Sequence, residues 1–348
     1  MYKRYISLFC VFLLILSSFC ACSKQEDTDE TDTAQKASNI LTESKLFING
    51  FEQDSSSDVP VEVAGFDSPK AALEYFKKDD HIPSWDVLWL VVGGIDADAA
   101  DAAGNPIHRT LSLSENEKNY LLNDMPFIFA DTVNKMTNGE LVLEVHPKLY
   151  DNPVTFLDEK NSVSVRSFDA ETRESFREYD SVIVTFRPDI DNEEQPVAVE
   201  LPGTAYGIQD YKYGFCTIPV ASSLMYQKSA ENPNPEIRWI YEWIKTLMPL
   251  TKAFGSEIPS PDSAADYGYT EEALRARAET PAEVSDTQEN AAQQSAPAPV
   301  PAETPTFAFC RDILSANVTY TSQDGPAKLG ITPALWKTIA YTLDTVKL

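Results

Sequence analysis
One stretch limits the architecture more than any other. Trp85 to Val92 is apolar on both faces, with Asp86 as the single exception. Side chains of a strand alternate between two faces, so such a run has to be covered from both sides. That excludes a half-solvated ribbon and calls for packed layers on each face of a sheet. The expected class is therefore α/β (α+β), a mixed sheet with packed helices.

The helices announce themselves by their ends. Ser68 and Pro69 open a short helix over 69–80, with Pro at the first helical position. An acidic, Gly- and Ala-rich loop is expected over 96–105, after the apolar strand. Ser114 with Glu117 forms a capping box for a long helix. Leu121, Leu122, Met125, Ile128, Phe129, Val133 and Met136 give that helix its apolar face, and Asn138-Gly139 ends it. Pro126 should kink it. Strands are expected over Leu141–Val145, Ser181–Phe186 and Phe215–Val220, each rich in β-branched or aromatic residues. Asn234 and Pro235 start a helix carrying Ile237, Ile240, Ile244, Leu247, Met248 and Phe254, closed by Gly255. A last helix begins at Thr332-Pro333.

The N-terminus reads as a targeting segment. Lys3 and Arg4 precede an unbroken apolar run of nine residues, Leu8–Leu16. A membrane span needs about 20 residues, so this run suits a signal-peptide core. Ala21-Cys22 then resembles a bacterial lipobox, with Cys22 as the residue acylated by palmitate-type chains. Cys20 is the alternative acceptor, and a plain secretory cut near Ala21 the alternative processing. On this reading residues 1–21 are a lipoprotein signal peptide and 22–45 a disordered acidic tether. One domain follows over 46–270 and 307–348. The Pro-, Ala-, Glu- and Gln-rich stretch 271–306 has only Leu274, Val284 and Val300 to bury, so it is expected to be a disordered insertion.

Charge and cysteine usage narrow the partners. Twenty-eight Lys and Arg stand against 54 Asp and Glu, a net charge of −26, which argues against nucleic acid and against docking on anionic lipid through a basic patch. The expected membrane contact is the lipid anchor alone, outside the cytoplasm, on the outer or cytoplasmic membrane of a bacterial envelope. Cys216 and Cys310 remain beyond the leader, either bridged or as two buried thiols. No CxxC pair is present to suggest structural zinc.

The order of elements and a few short words resemble a group of secreted bacterial proteins related to the zincin metallopeptidases. The words are Met136-Thr137-Asn138-Gly139, Glu140 to Val145, Tyr179 to Val184, and the Gly- and Tyr-rich loop Gly203 to Gly207. In that group the loop precedes a strand and then a helix bearing His-Glu-Trp-x-His. Here the helix reads Tyr241-Glu242-Trp243-Ile244-Lys245. Glu242 and Trp243 match, while Tyr241 and Lys245 stand where the two histidines would be. Pro259 to Thr270 resembles the segment supplying a further ligand, with Asp262 and Asp266 as its carboxylates but no histidine. The resemblance implies a zincin-like fold. The residues imply a dead site, because an ammonium has no lone pair for a metal. Without the resemblance, Glu242 and Lys245 are a solvent-facing helix pair three apart.

Other constellations are weaker. His81, His108 and His146 lie 27 and 38 residues apart, without a metal-ligand spacing, and read as isolated surface or turn histidines. Asp189 to Glu200 echoes a calcium loop but has Glu194 where Gly is required and Pro196 nearby, so it reads as a solvated acidic loop. Asp96, Asp98 and Asp101 read as a hairpin loop first and a calcium site second. Trp239 and Trp243, like Trp85 and Trp89, read as core. No nucleophile motif occurs. The leading expectation is a catalytically inactive, metallopeptidase-like lipoprotein with a binding or structural role, no catalytic residue, no cofactor and no metal. Its ligand would be a protein or peptide. The alternatives are a hydrolase with non-standard ligands and a solute-binding lipoprotein.

Overall fold
The computed structural model describes residues 62–100, 104–188, 204–208, 213–220, 227–229, 232–279, 303–322 and 325–347. All of them belong to a compact unit spanning Phe47–Leu348. The stretches expected to be a signal peptide and an acidic tether, Cys22 among them, and the stretch 189–200 expected to be an acidic loop lie outside the described residues.

Helix α1 (Pro69–Phe76) is capped by Ser68, whose hydroxyl accepts from the Ala71 amide at 3.2 Å. It stops four residues short of the expected end. Strand β1 (Ser84–Val92) follows, then β2 (Gly94–Ala100) and β3 (Pro106–Ser112). These last two form an antiparallel hairpin where the loop over 96–105 was expected. The reason is alternation. Ile95, Ala97 and Ala99 are buried while Asp96 and Asp98 face solvent, a period-two pattern masked by the small size of alanine.

The long helix is two helices. The Ser114–Glu117 capping box opens α2 (Glu115–Asn123), and α3 (Met125–Met136) follows after a break at Asp124. Pro126 lacks the amide that would continue the ladder, so the chain breaks rather than bends. Asn138 and Gly139 close α3 with φ of 56° and 78°. Strand β4 (Val142–Tyr150) runs well beyond Val145, followed by the short helix α4 (Ala170–Ser175) and β5 (Ser181–Phe186). The segment expected as a Gly- and Tyr-rich loop contains β6 (Thr204–Ile208), paired antiparallel with β7 (Tyr213–Pro219).

Helix α5 (Ile237–Ala253) has Glu236 at its N-cap rather than Asn234, and Gly255 follows its end at φ 76°. A 3₁₀ segment occupies Pro261–Tyr267. The disordered insertion expected over 271–306 is overturned at both of its ends. Helix α6 (Glu271–Glu279) lies at its start, and Leu274 packs against the core. Helix α7 (Pro305–Leu314) already includes residues 305 and 306, opened by the Thr304 cap. Residues 280–302 lie outside the description. A hairpin of β8 (Val318–Ser322) and β9 (Gly325–Leu329) precedes the final helix α8 (Pro333–Lys347).

The main sheet is mixed, in the order β4-β1-β5-β7-β6, parallel except for the β6 edge. Strand β1 divides two cores. Trp85, Val87, Trp89 and Val91 enter one, with Phe129, Trp239, Trp243, Phe309 and Trp336 from the helices. Leu88, Leu90 and Val92 enter the other, covered by the β2–β3 hairpin and by Val163, Phe168 and Phe176. All five tryptophans are fully buried. The Trp243 and Trp336 rings stack at 6.0 Å, and Trp85 meets both edge-on. Among the described residues no helix is long and apolar enough to cross a membrane.

Candidate functional site at the degenerate helix motif
Helix α5 is fixed by its apolar face. Trp239, Ile240, Trp243, Ile244 and Leu247 are fully buried against the sheet. Gly214 on β7 permits a close approach, since a Cβ there would lie 2.4 Å from Thr246 Oγ1. The indole N–H of Trp243 donates to Ser181 Oγ at 2.9 Å, and Trp85 donates to the same oxygen at 3.0 Å. These contacts leave the neighbouring stripe, Tyr241, Glu242 and Lys245, half-buried at the margin.

The segment after α5 supplies the counterpart. Ser260 caps the 3₁₀ turn, and its hydroxyl donates to Asp262 Oδ2 at 3.1 Å. The Tyr241 hydroxyl donates to Asp262 Oδ1. Lys245 Nζ lies 3.4 Å from Asp262 Oδ1 and 3.5 Å from a Glu242 oxygen. It also sits 4.4 Å from the centre of the Tyr241 ring, a cation–π distance. The four side chains thus form one closed cluster with an ammonium between two carboxylates. Glu242 and Lys245 are not a freely solvated pair: their side chains are only 26% and 23% exposed. The packing of the 3₁₀ segment on the helix, invisible in the local spacing, covers them.

The two carboxylates could coordinate a cation only after expelling the ammonium, and the phenol is already committed to Asp262. Beneath them, burial holds the Cys216 thiol well above its ordinary value, with a smaller push from Glu242 opposed by Lys245. Cys216 and Cys310 are both buried and free, so the bridge left open by the sequence is not formed. Asp266, the other carboxylate of the 3₁₀ segment, has no part in the contacts that join Tyr241, Glu242, Lys245 and Asp262. It lines a neighbouring cleft of about 850 Å³ with Met248, Ile258, Tyr267, Tyr320 and Leu329.

The histidines lie elsewhere. His81 is exposed after α1. His108 on β3 is clasped by Asp98 at Nδ1 and Asp96 at Nε2, both at 2.9 Å. Those aspartates lie on strand β2 and not in a loop; Asp101 is outside the described residues. His146 on β4 stands 3.2 Å from Asp86 of β1. Spacing of 60 residues hid that meeting, which strand pairing creates. No family model, curated protein or solved structure matches this chain.

Proposed function
We propose that this protein is a lipid-anchored, extracytoplasmic bacterial protein whose zincin-like scaffold has lost its metal centre and serves a binding or structural role. The observation that carries this reading is the Lys245 ammonium, held between Glu242 and Asp262 beside Tyr241. Residues i and i+4 of a helix share a face, which is why two imidazoles at these positions hold zinc in the peptidases. Tyr241, Lys245 and the downstream Asp262 converge as such a ligand set must. A lysine there supplies the positive charge itself and offers no lone pair. The cluster is then a structural replacement for a metal, tying the 3₁₀ segment to α5. The adjoining cleft, with Glu257 and Asp266 at its acidic margin, supports a binding role for a peptide-sized partner. Ala21-Cys22 and the acidic stretch that follows support the anchor.

The test is restoration. In a chain carrying His146→Ala, so that the imidazole beside Asp86 cannot contribute, Tyr241→His with Lys245→His should bind one equivalent of zinc. Adding Asp262→Ala should weaken that binding at least tenfold, by removal of the third ligand. A double-histidine variant that ignores zinc, or wild-type protein that cleaves peptides, would overturn the reading.

A further inference from the structure
A second constellation, independent of helix α5, sits where β1 meets the edge strand β4. These strands run parallel, with Asp86 opposite Glu144 and Leu88 opposite His146. Residues 144 and 146 project from the same face of β4, the face shared by Asp86. The result is that one donor atom from each of Asp86, Glu144 and His146 lies within 4.8 Å of the other two. We propose that these three residues form a binding site for a first-row divalent cation of the zinc type.

The geometry carries the assignment. Zinc holds nitrogen and oxygen ligands at about 2.0–2.1 Å, so donors of a tetrahedral site stand about 3.3 Å apart. His146 Nε2 and Asp86 Oδ1 are 3.2 Å apart, already one edge of such a tetrahedron. Glu144 is exposed and has three side-chain torsions with which to close the remaining distance. Asp86 is held from behind: its amide donates to Asp180 Oδ2 at 2.7 Å, and the Asp180 amide returns to the Asp86 carbonyl at 2.9 Å. Asp180 is 2% exposed, so the group that holds the Asp86 backbone is itself buried. The Tyr179 ring packs against His146 at 5.4 Å, and the Lys148 ammonium is drawn over the same ring, also at 5.4 Å.

The donor set selects the metal class. One imidazole with two carboxylates suits a borderline cation such as zinc, whereas calcium prefers an all-oxygen cage of six to eight ligands. Three protein ligands leave a position for solvent. By contrast His108 places its two ring nitrogens on different aspartates, so Asp96 and Asp98 stand on separate sides of the ring and the three do not converge as a metal-holding group among the described residues. A cation at the Asp86 site would join β1 to β4 through side chains as well as backbone.

The experiment is a zinc titration of the full chain by calorimetry, with His146→Ala, Asp86→Asn and His108→Ala compared under the same conditions. The proposal expects one zinc equivalent in the wild type, at least tenfold weaker binding in His146→Ala and in Asp86→Asn, and unchanged binding in His108→Ala. Circular dichroism reports whether each variant retains the fold, and exposed His146 is a mild site to truncate. Absence of a zinc equivalent, binding indifferent to His146→Ala, or calcium bound as tightly as zinc would each overturn it. Its failure leaves the restoration test of α5 untouched, since that test is made without His146.

Discussion

Lys245 Nζ lies 3.4 Å from Asp262 Oδ1, linking a 17-residue helix to the segment that follows it. This contact, with Glu242 and the Tyr241 ring around the same ammonium, makes the cluster a unit rather than a set of surface charges. A double-mutant cycle between Lys245→Met and Asp262→Asn should give a coupling of about 0.5–1 kcal/mol, the scale of a partly exposed pair. Denaturant titrations of the four proteins measure it, and the coupling should shrink in 1 M salt. Zero coupling at low salt would remove the cluster's structural role.

Ser181 holds the buried side of the same helix through Trp243. Its one hydroxyl oxygen accepts from the indoles of Trp85 and Trp243 in a fully buried site. Ser181→Ala leaves both N–H groups without that acceptor, so urea denaturation should show a loss of about 2–4 kcal/mol. A loss under 1 kcal/mol would mean that the indoles find other acceptors.

His108 provides a pH signature. Hydrogen bonds to Asp98 and then Asp96 hold its imidazole above the ordinary value of 6.5. Because the folded-state value is raised, the stabilisation is complete below the unfolded value of about 6.5 and fades as pH rises through the folded one. An NMR titration should place its midpoint above about 6.5 in the wild type and lower in Asp98→Asn. Equal midpoints in the two proteins would contradict the pairing.

Cys216 and Cys310 should be silent. Burial pushes Cys310 up to about 12, and Cys216 is held well above its ordinary value. Alkylation mapped by mass spectrometry at pH 8 should spare both in native protein and label both after unfolding, since only the thiolate reacts. Labelling of Cys216 in the native state would place it nearer solvent than the sheet allows.

The proposed anchor has its own test. Cys22→Ala should release the protein from the membrane fraction. Retention with Cys20 intact would move the acceptor to Cys20.

Elements with strong ends or continuous apolar faces were legible in the sequence. Strand β1, the Ser114 capping box, β5 and the apolar face of α5 all appear where periodicity and capping put them. Hidden elements were built from residues whose patterns carry little contrast. Alternating Asp and Ala in β2 resembles a flexible loop until the hairpin buries the alanines. The glycine and tyrosine of β6 resemble a turn until β7 supplies a partner. The site divides in the same way. Tyr241, Glu242 and Lys245 share a helix face that spacing alone reveals, but the closure by Asp262 depends on tertiary folding. The meeting of Asp86 with His146 depends on β1 pairing with β4 across 60 residues of chain, which no local pattern reveals.

Strand β1 sends alternate residues into two separate cores, with tryptophans on one side and leucines on the other. Single-residue insertions or deletions between Trp85 and Val92 would therefore exchange the contents of both compartments at once. Large indoles would be driven into the space shaped for leucines, and Asp86 would leave its place beside Glu144. Length within this strand is thus tightly constrained, while a conservative change of side chain at any one position disturbs a single compartment.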